Sequence, residues 1–191
     1  EKYTQLQSMY AESEQAESSI LDANKQYMEN AEKYKKEQDA LEQEIQELLQ
    51  NEGSDEAYGD GQLKWPVPTR SYISSYFGWR TLYGRPNYHK GIDIPGSAGT
   101  NIVAADSGKV LKVSKLTYGY GWHVIIDHGN GVSTLYAHCS RLDVSVGDYV
   151  EKGQVVAGIG TTGNSTGNHV HFEVRINGVQ QNPLNYVKQP S

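Results

Sequence analysis

The chain has 191 residues, 21% of them charged and 37% hydrophobic, with a formal net charge of −6 and a single cysteine. One cysteine excludes an intramolecular disulfide, no run approaches the roughly 20 apolar residues of a membrane span, and no segment reads as a cleavable apolar signal or a nucleic-acid-binding patch. The charge is divided unevenly: residues 1–60 hold 5 Lys/Arg against 16 Asp/Glu, a balance of −11, and residues 61–191 hold 12 against 7, a balance of +5.

The chain begins at Glu1 without a methionine, so a fragment or processed form is expected, with a signal or membrane anchor left open upstream. From Glu1 to Gln50 there is no Gly or Pro, and the composition is rich in Glu, Gln, Lys and Ala. That predicts one long helix. Placing Tyr3, Tyr10, Glu17, Asn24, Ala31, Gln38 and Ile45 at heptad position a, and Leu6, Ser13, Ile20, Tyr27, Tyr34, Leu41 and Leu48 at d, makes 10 of 14 positions apolar. The pattern is a coiled-coil seam with polar flaws in its middle. Such a helix spans roughly 75 Å, too long to bury its stripe against one small domain. A partner helix over residues 1–50 is implied, from a second copy in a homodimer, another protein or an upstream segment; a solvated spacer is the alternative.

Residues 51–63, with three glycines and several acidic residues, break the periodicity and read as a linker. Residues 64–191 then form a second domain. Short β-rich runs at Lys109–Val113, His123–Asp127, Val132–Ala137, Tyr149–Val150, Val155–Ile159 and His171–Ile176 alternate with Gly-centred turns. The fold class expected is mainly β, a small antiparallel β-sheet domain preceded by the coiled-coil helix. Val144–Gly158 resembles the turn-and-strand signature of barrel-sandwich folds, which lipoyl and biotinyl carriers share. Those carriers need a lysine in a Met-Lys-Met-like turn, and none is present.

Three motifs carry the chemistry: His89-x-x-x-Asp93, His138 in Tyr136-Ala137-His138, and His169-x-His171 followed by Phe172-Glu173. A catalytic zinc takes three protein ligands from imidazole nitrogens and carboxylate oxygens and keeps a fourth position open. Two histidines then remain for proton transfer. Residues two apart on a strand share a face, so His169 and His171 can look into one cavity while Val170 points away. Spacing alone does not choose between them as ligand. Each motif also has a plain structural reading, a hydrogen-bonded histidine pair on a strand or a turn with a capping carboxylate.

The stretches Ile73–Arg80, His89-Lys-Gly-Ile-Asp93-Ile94, Asp127-His-Gly-Asn-Gly131, Thr134-Leu-Tyr-Ala-His138 and Ser165-Thr-Gly-Asn-His-Val-His-Phe-Glu173 resemble the lysostaphin-type (LytM-like) zinc metalloendopeptidases of bacterial peptidoglycan. The likeness runs in order from about residue 65 to residue 187. It implies a barrel-sandwich (duplicated hybrid motif) domain in which His89, Asp93 and His171 bind Zn2+ and His138 and His169 are the catalytic pair. It also implies that Tyr83, six residues before His89, supports the transition state, and that Glu173 is a supporting residue and no ligand. The implied location is extracellular or in the bacterial cell envelope. Many members of this family have lost site residues and act as activators of other wall hydrolases, whereas this chain retains all five.

Cys139 reads as packing, on the argument that neighbours on a strand face opposite ways; zinc ligation by its thiol is the rival. His89-Lys-Gly-Ile-Asp93 also resembles the histidine motif of sugar phosphotransferase IIA domains, but a phosphocarrier needs no cluster of His138, His169, His171 and Asp93. Loops Thr81–Tyr88 and Ser114–Tyr120, with Tyr83, Tyr88, Tyr118 and Tyr120, are expected to line the substrate groove. A histidine base predicts that activity falls as pH drops through the ordinary histidine range.

Overall fold

The Gly- and Pro-free segment forms one helix, α1 (Lys2–Glu52), in the computed structural model, which describes residues 2–82 and 84–190. The chain divides into two compact units, Glu1–Leu41 and Glu42–Ser191. In the first unit the seam residues Tyr3, Leu6, Tyr10, Ile20, Tyr27 and Tyr34 are all exposed. Among the described residues no helix is long and apolar enough to cross a membrane.

Among the described residues the second unit holds the last turns of α1 and twelve strands. These are β1 (Gly78–Leu82), β2 (Arg85–His89), β3 (Ile92–Pro95), β4 (Asn101–Val103), β5 (Gly108–Lys115), β6 (Trp122–Gly129), β7 (Val132–Ala137), β8 (Cys139–Leu142), β9 (Tyr149–Val150), β10 (Val155–Ile159), β11 (His169–Ile176) and β12 (Val179–Gln181). All the pairings are antiparallel. β1 and β2 form a hairpin, β4, β10 and β8 a three-stranded sheet, and the rest a seven-stranded sheet in the order β12-β11-β7-β6-β5-β9, with β3 alongside β11. The mainly antiparallel β class expected from the sequence is the class observed.

Strand β11 organises the domain because its two faces differ in kind. Val170, Phe172 and Val174 point into the main core with Ile92, Ile94, Val124, Ile126 and Tyr136. The alternate residues His169, His171, Glu173 and Arg175 line the other face, as the two-residue period requires. Across the ladder Glu173 pairs with Leu135 and Leu135 with Ile125, both fully buried, so this second face is covered too. The cover is the end of α1: Ile45 is fully buried, Glu42 reaches Arg175 and Gln180, and Glu44 pairs with Lys112. Residues 53–63 have no regular secondary structure yet are tied to the sheet. Ser54 N–H donates to Asp127 Oδ2 at 2.8 Å, Tyr58 N–H to the His128 carbonyl at 3.0 Å, and Gly61 N–H to Asp106 Oδ2 at 2.9 Å.

Candidate metal centre

Three strands bring the first cluster together. β2 ends at His89, a two-residue bend follows, β3 carries Asp93, and the β3–β11 ladder sets His171 directly opposite Asp93. The bend needs Gly91. A Cβ there would stand 2.3 Å from the Phe172 carbonyl oxygen and 3.0 Å from His171 Cε1. This close approach explains the glycine within His89-Lys-Gly-Ile-Asp93.

His89 Nε2, Asp93 Oδ1 and His171 Nδ1 form a triangle with sides of 3.1, 3.0 and 2.9 Å. Donor atoms ~2.0–2.1 Å from a tetrahedral zinc stand roughly 3.3 Å apart, so the triangle has the size of one face of such a site. Among the described residues these three form a group that could hold a metal ion. Their outer partners turn the lone pairs inward. His89 Nδ1 lies 2.9 Å from the Tyr76 carbonyl, which only accepts, so Nδ1 carries the hydrogen and Nε2 is free to bind. His171 Nε2 lies 3.0 Å from Glu173 Oε1 and donates to it, which frees Nδ1. In the metal-free protein burial works to raise the Asp93 carboxyl, but its contacts with His171 and His89 overturn this and hold it far below the usual carboxylate range. Burial works to lower His171, and here the Asp93 and Glu173 carboxylates win, lifting it to about 9 in the metal-free protein.

Two further imidazoles stand beside this triangle without belonging to it. The His138 and His169 rings lie 4.8 Å apart, centre to centre, and His138 lies 6.0 Å from His171. His138 is not on a strand, contrary to the sequence argument about its neighbour. It sits between β7 and β8 with φ +61°, a left-handed conformation that costs a non-glycine residue on the order of 1–3 kcal/mol. Two hydrogen bonds hold it there: its N–H donates to the Tyr120 carbonyl at 2.9 Å, and its Nδ1–H to the Thr162 carbonyl at 2.8 Å. Thr162 is locked in turn, with Oγ1 accepting from Trp122 N–H and donating to the Cys139 carbonyl, both at 2.9 Å. Gly121 lets the chain pass: a Cβ there would meet the Thr162 carbonyl at 2.4 Å. With Nδ1 committed to a carbonyl, His138 presents Nε2 as an unprotonated acceptor. Burial first, then the neighbouring His171 and His169, depress its pKa to about 3.

His169 follows the same design. Its Nδ1–H donates to the Gly167 carbonyl at 2.8 Å, and Nε2 faces the site, 3.7 Å from Asp93 Oδ1. Cys139 is fully buried, and its thiol lies 3.5 Å from the Tyr136 carbonyl. Burial pushes that thiol up to about 12, which suits packing and neither a ligand nor a nucleophile. Tyr83 lies outside the described residues. Tyr88 stacks edge-on with Phe77 and the exposed Trp79 beside His89. Tyr120, expected in a substrate groove, instead turns inward and donates to Glu173 Oε1 at 2.6 Å.

The residues that sequence reasoning did not single out are Arg175, Tyr120 as a support, and Glu42. Arg175 Nε donates to Glu173 Oε2 at 2.8 Å, and its Nη1 and Nη2 donate to the two oxygens of Glu42 at 2.7 and 3.2 Å. Although burial works to raise Glu173, Arg175 and His171 hold its carboxyl down to about 2. Arg175 had a signal in the sequence, since it continues the two-residue period of His169, His171 and Glu173. Glu42 had none.

The description "Peptidase family M23" matches residues 87–183, which contain all five clustered residues. An uncharacterized metalloprotease of Haemophilus influenzae is 39% identical over 138 residues, covering 71% of this chain and 29% of that protein. The murein hydrolase activator NlpD of Escherichia coli is 36% identical over 125 residues, covering 65% and 31%. The chain thus spans just under a third of the length of these relatives. Among solved structures, a zinc containing peptidase from Vibrio cholerae superposes with a TM-score of 0.57 at 30% identity, over 67% of this chain and 39% of that one. The His-Asp-His triangle lies inside the matched region of a mainly antiparallel β domain, and the chain belongs to peptidase family M23, the lysostaphin-type metallopeptidases.

Proposed function

We propose that the chain is a zinc-dependent endopeptidase that hydrolyses amide bonds in peptide stems or crossbridges of bacterial peptidoglycan, at the cell surface or in the envelope. His89, Asp93 and His171 hold the zinc, and His138 and His169 move protons. One observation carries this reading: the site contains two imidazoles beyond the three-ligand triangle, each with Nδ1 tied to a backbone carbonyl and Nε2 left for chemistry. A purely structural metal site has no use for such a pair.

Zinc, when bound, makes water a usable nucleophile near neutral pH and polarises the scissile carbonyl. His138 Nε2 takes the proton of the attacking water and hands it to the departing amine. Its left-handed backbone and double anchorage keep that lone pair aimed through both steps. His169 Nε2 orients the same water or, carrying a second proton, stabilises the negative charge that develops. Tyr83 keeps the transition-state role that the family resemblance gives it, which Tyr83→Phe tests. Trp79 and Tyr88 offer an aromatic ledge beside His89 for the peptide.

The similarity to an activator supports a second reading, in which the domain binds wall or another hydrolase without cutting. Digestion of purified cell walls of several crosslink types, with the released ends identified by mass spectrometry, separates the two. New amine ends that require zinc support the peptidase. Zinc binding without any cleavage supports the activator.

A further inference from the structure

Arg175 is fully buried yet carries a guanidinium, so each of its donors needs an acceptor. Its Nε and Nη2 lie 2.8 and 2.7 Å from Glu173 Oε2, Nη2 also donates to Tyr120 Oη at 3.2 Å, and Nη1 and Nη2 donate to the two oxygens of Glu42, 133 residues away on α1. Glu42 also accepts from Lys90 Nζ at 3.0 Å and from Gln180 Nε2. Glu173 is therefore divided between two tasks. Oε2 serves Arg175, while Oε1 accepts from Tyr120 O–H and from His171 Nε2–H, the bond that turns His171 Nδ1 toward Asp93 and His89.

Remove Glu42 and Nη1 loses its acceptor in a place water barely reaches, while Nη2 is left with Tyr120 Oη at 3.2 Å and the Glu173 Oε2 that it already approaches at 2.7 Å. The nearest replacement is Glu173 itself, because arginine and a carboxylate prefer to meet through two parallel hydrogen bonds. Taking both oxygens draws Oε1 away from His171. The imidazole then loses the partner that fixes its tautomer and orientation, a kind of contact whose loss weakens metal binding by about 10–100-fold when it touches the ligand directly.

We propose that Glu42 is a positioning residue for the metal centre, acting through Arg175 and Glu173 on His171, so that tight metal binding requires the last turns of α1 to be seated on the sheet. The proposal rests on His171 being a zinc ligand. Glu42 itself touches neither metal nor substrate.

Zinc affinity, measured by competition with a chelator on the full chain, tests it without reference to hydrolysis. Glu42→Gln keeps the shape and removes the charge; Glu44→Gln removes the pairing of the same helical segment with Lys112 and leaves the relay intact. Expected is a loss of about 3–10-fold for Glu42→Gln, smaller than for a direct partner of the ligand, and no change for Glu44→Gln. Circular dichroism and unfolding of the metal-free variants check that both fold. Glu42→Gln is then made in a Glu173→Gln background. If Glu42 acts through Glu173, the second substitution adds little there. Equal losses in the two single variants, an undiminished effect in the Glu173→Gln background, or affinity within twofold of the parent overturns the proposal. A parent chain that binds no zinc overturns this and the function together, whereas tight zinc binding with no wall cleavage removes the function and leaves this inference standing.

Discussion

Replacing Glu173 by glutamine removes one charge from the middle of a buried line of alternating signs, and its cost follows from the geometry. The carboxyl is fully buried, yet its pKa is held at about 2, against an ordinary 4.5, by Arg175 and His171. That depression corresponds to roughly 3 kcal/mol of folding free energy in the metal-free protein at pH values where the carboxylate is ionised. For a unit of this size, that lowers the unfolding midpoint by roughly 6–12 °C. The pH dependence is as informative as the size. The Glu173 contribution is present above about pH 4.5 and lost as pH falls through 2, because its folded pKa is depressed. His171, raised to about 9, contributes fully below about pH 6.5 and loses its contribution as pH rises through 9. Thermal unfolding of parent and Glu173→Gln, both in excess chelator and stepped from pH 3 to pH 9.5, should show the widest gap between pH 4.5 and 6.5, narrowing on both sides. A gap that is flat with pH, or below about 1 kcal/mol throughout, would refute the assignment of Glu173 as a charged bridge between His171 and Arg175.

Other outcomes follow from the same coordinates. Because His171 is protonated near neutrality in the metal-free protein, zinc must displace that proton, so affinity should rise about tenfold per pH unit below pH 9; chelator competition at pH 6, 7 and 8 measures the slope. In the metal-free protein His138 is depressed to about 3, so in excess chelator its ring should stay neutral down to about pH 5 in an NMR titration. Protonation of that ring near pH 6.5 contradicts the structure on this point. A chain of residues 42–191 should fold and bind zinc as the full chain does, whereas residues 64–191 lose the buried Ile45 and the Glu42 contacts. The shorter chain should be less stable by at least ~1.5–3 kcal/mol in denaturant unfolding. The exposed seam in residues 3–34 predicts that the full chain self-associates or captures a helical partner while residues 42–191 stay monomeric, which sedimentation will show.

What the sequence made legible was whatever local pattern controls. The helix could be read because nothing in residues 2–50 interrupts it, and β7, β9 and β10 were read to the residue, β9 and β10 because turn glycines stand close to both ends and β7 because it starts after Gly131 and stops at His138. The hairpin β1–β2 escaped because its strands contain Arg80, Arg85, Pro86 and Asn87, whose exposed surroundings impose no apolar alternation. The triangle was legible through the family resemblance; the strand period put His169 and His171 on one face without choosing between them as ligand. The left-handed backbone of His138 was not, since it depends on Thr162 and Tyr120 arriving from other parts of the chain. Residues 51–63 look like a linker by composition, but hydrogen bonds to Asp106, Asp127 and His128 tie them down. Glu42 looked like any solvated helix carboxylate. Only the fold reveals that it faces Arg175.

The most direct test of the account is metal content after dialysis, measured together with cleavage of a crosslinked wall peptide, for alanine variants of the five clustered residues. His89→Ala, Asp93→Ala and His171→Ala should lose zinc and activity together, because each removes one of three protein ligands. His138→Ala and His169→Ala should retain zinc while hydrolysis drops by about 10²–10⁴-fold, the usual contribution of a general acid–base group. If His138→Ala or His169→Ala sheds zinc as readily as His171→Ala, the division into ligands and proton carriers is wrong.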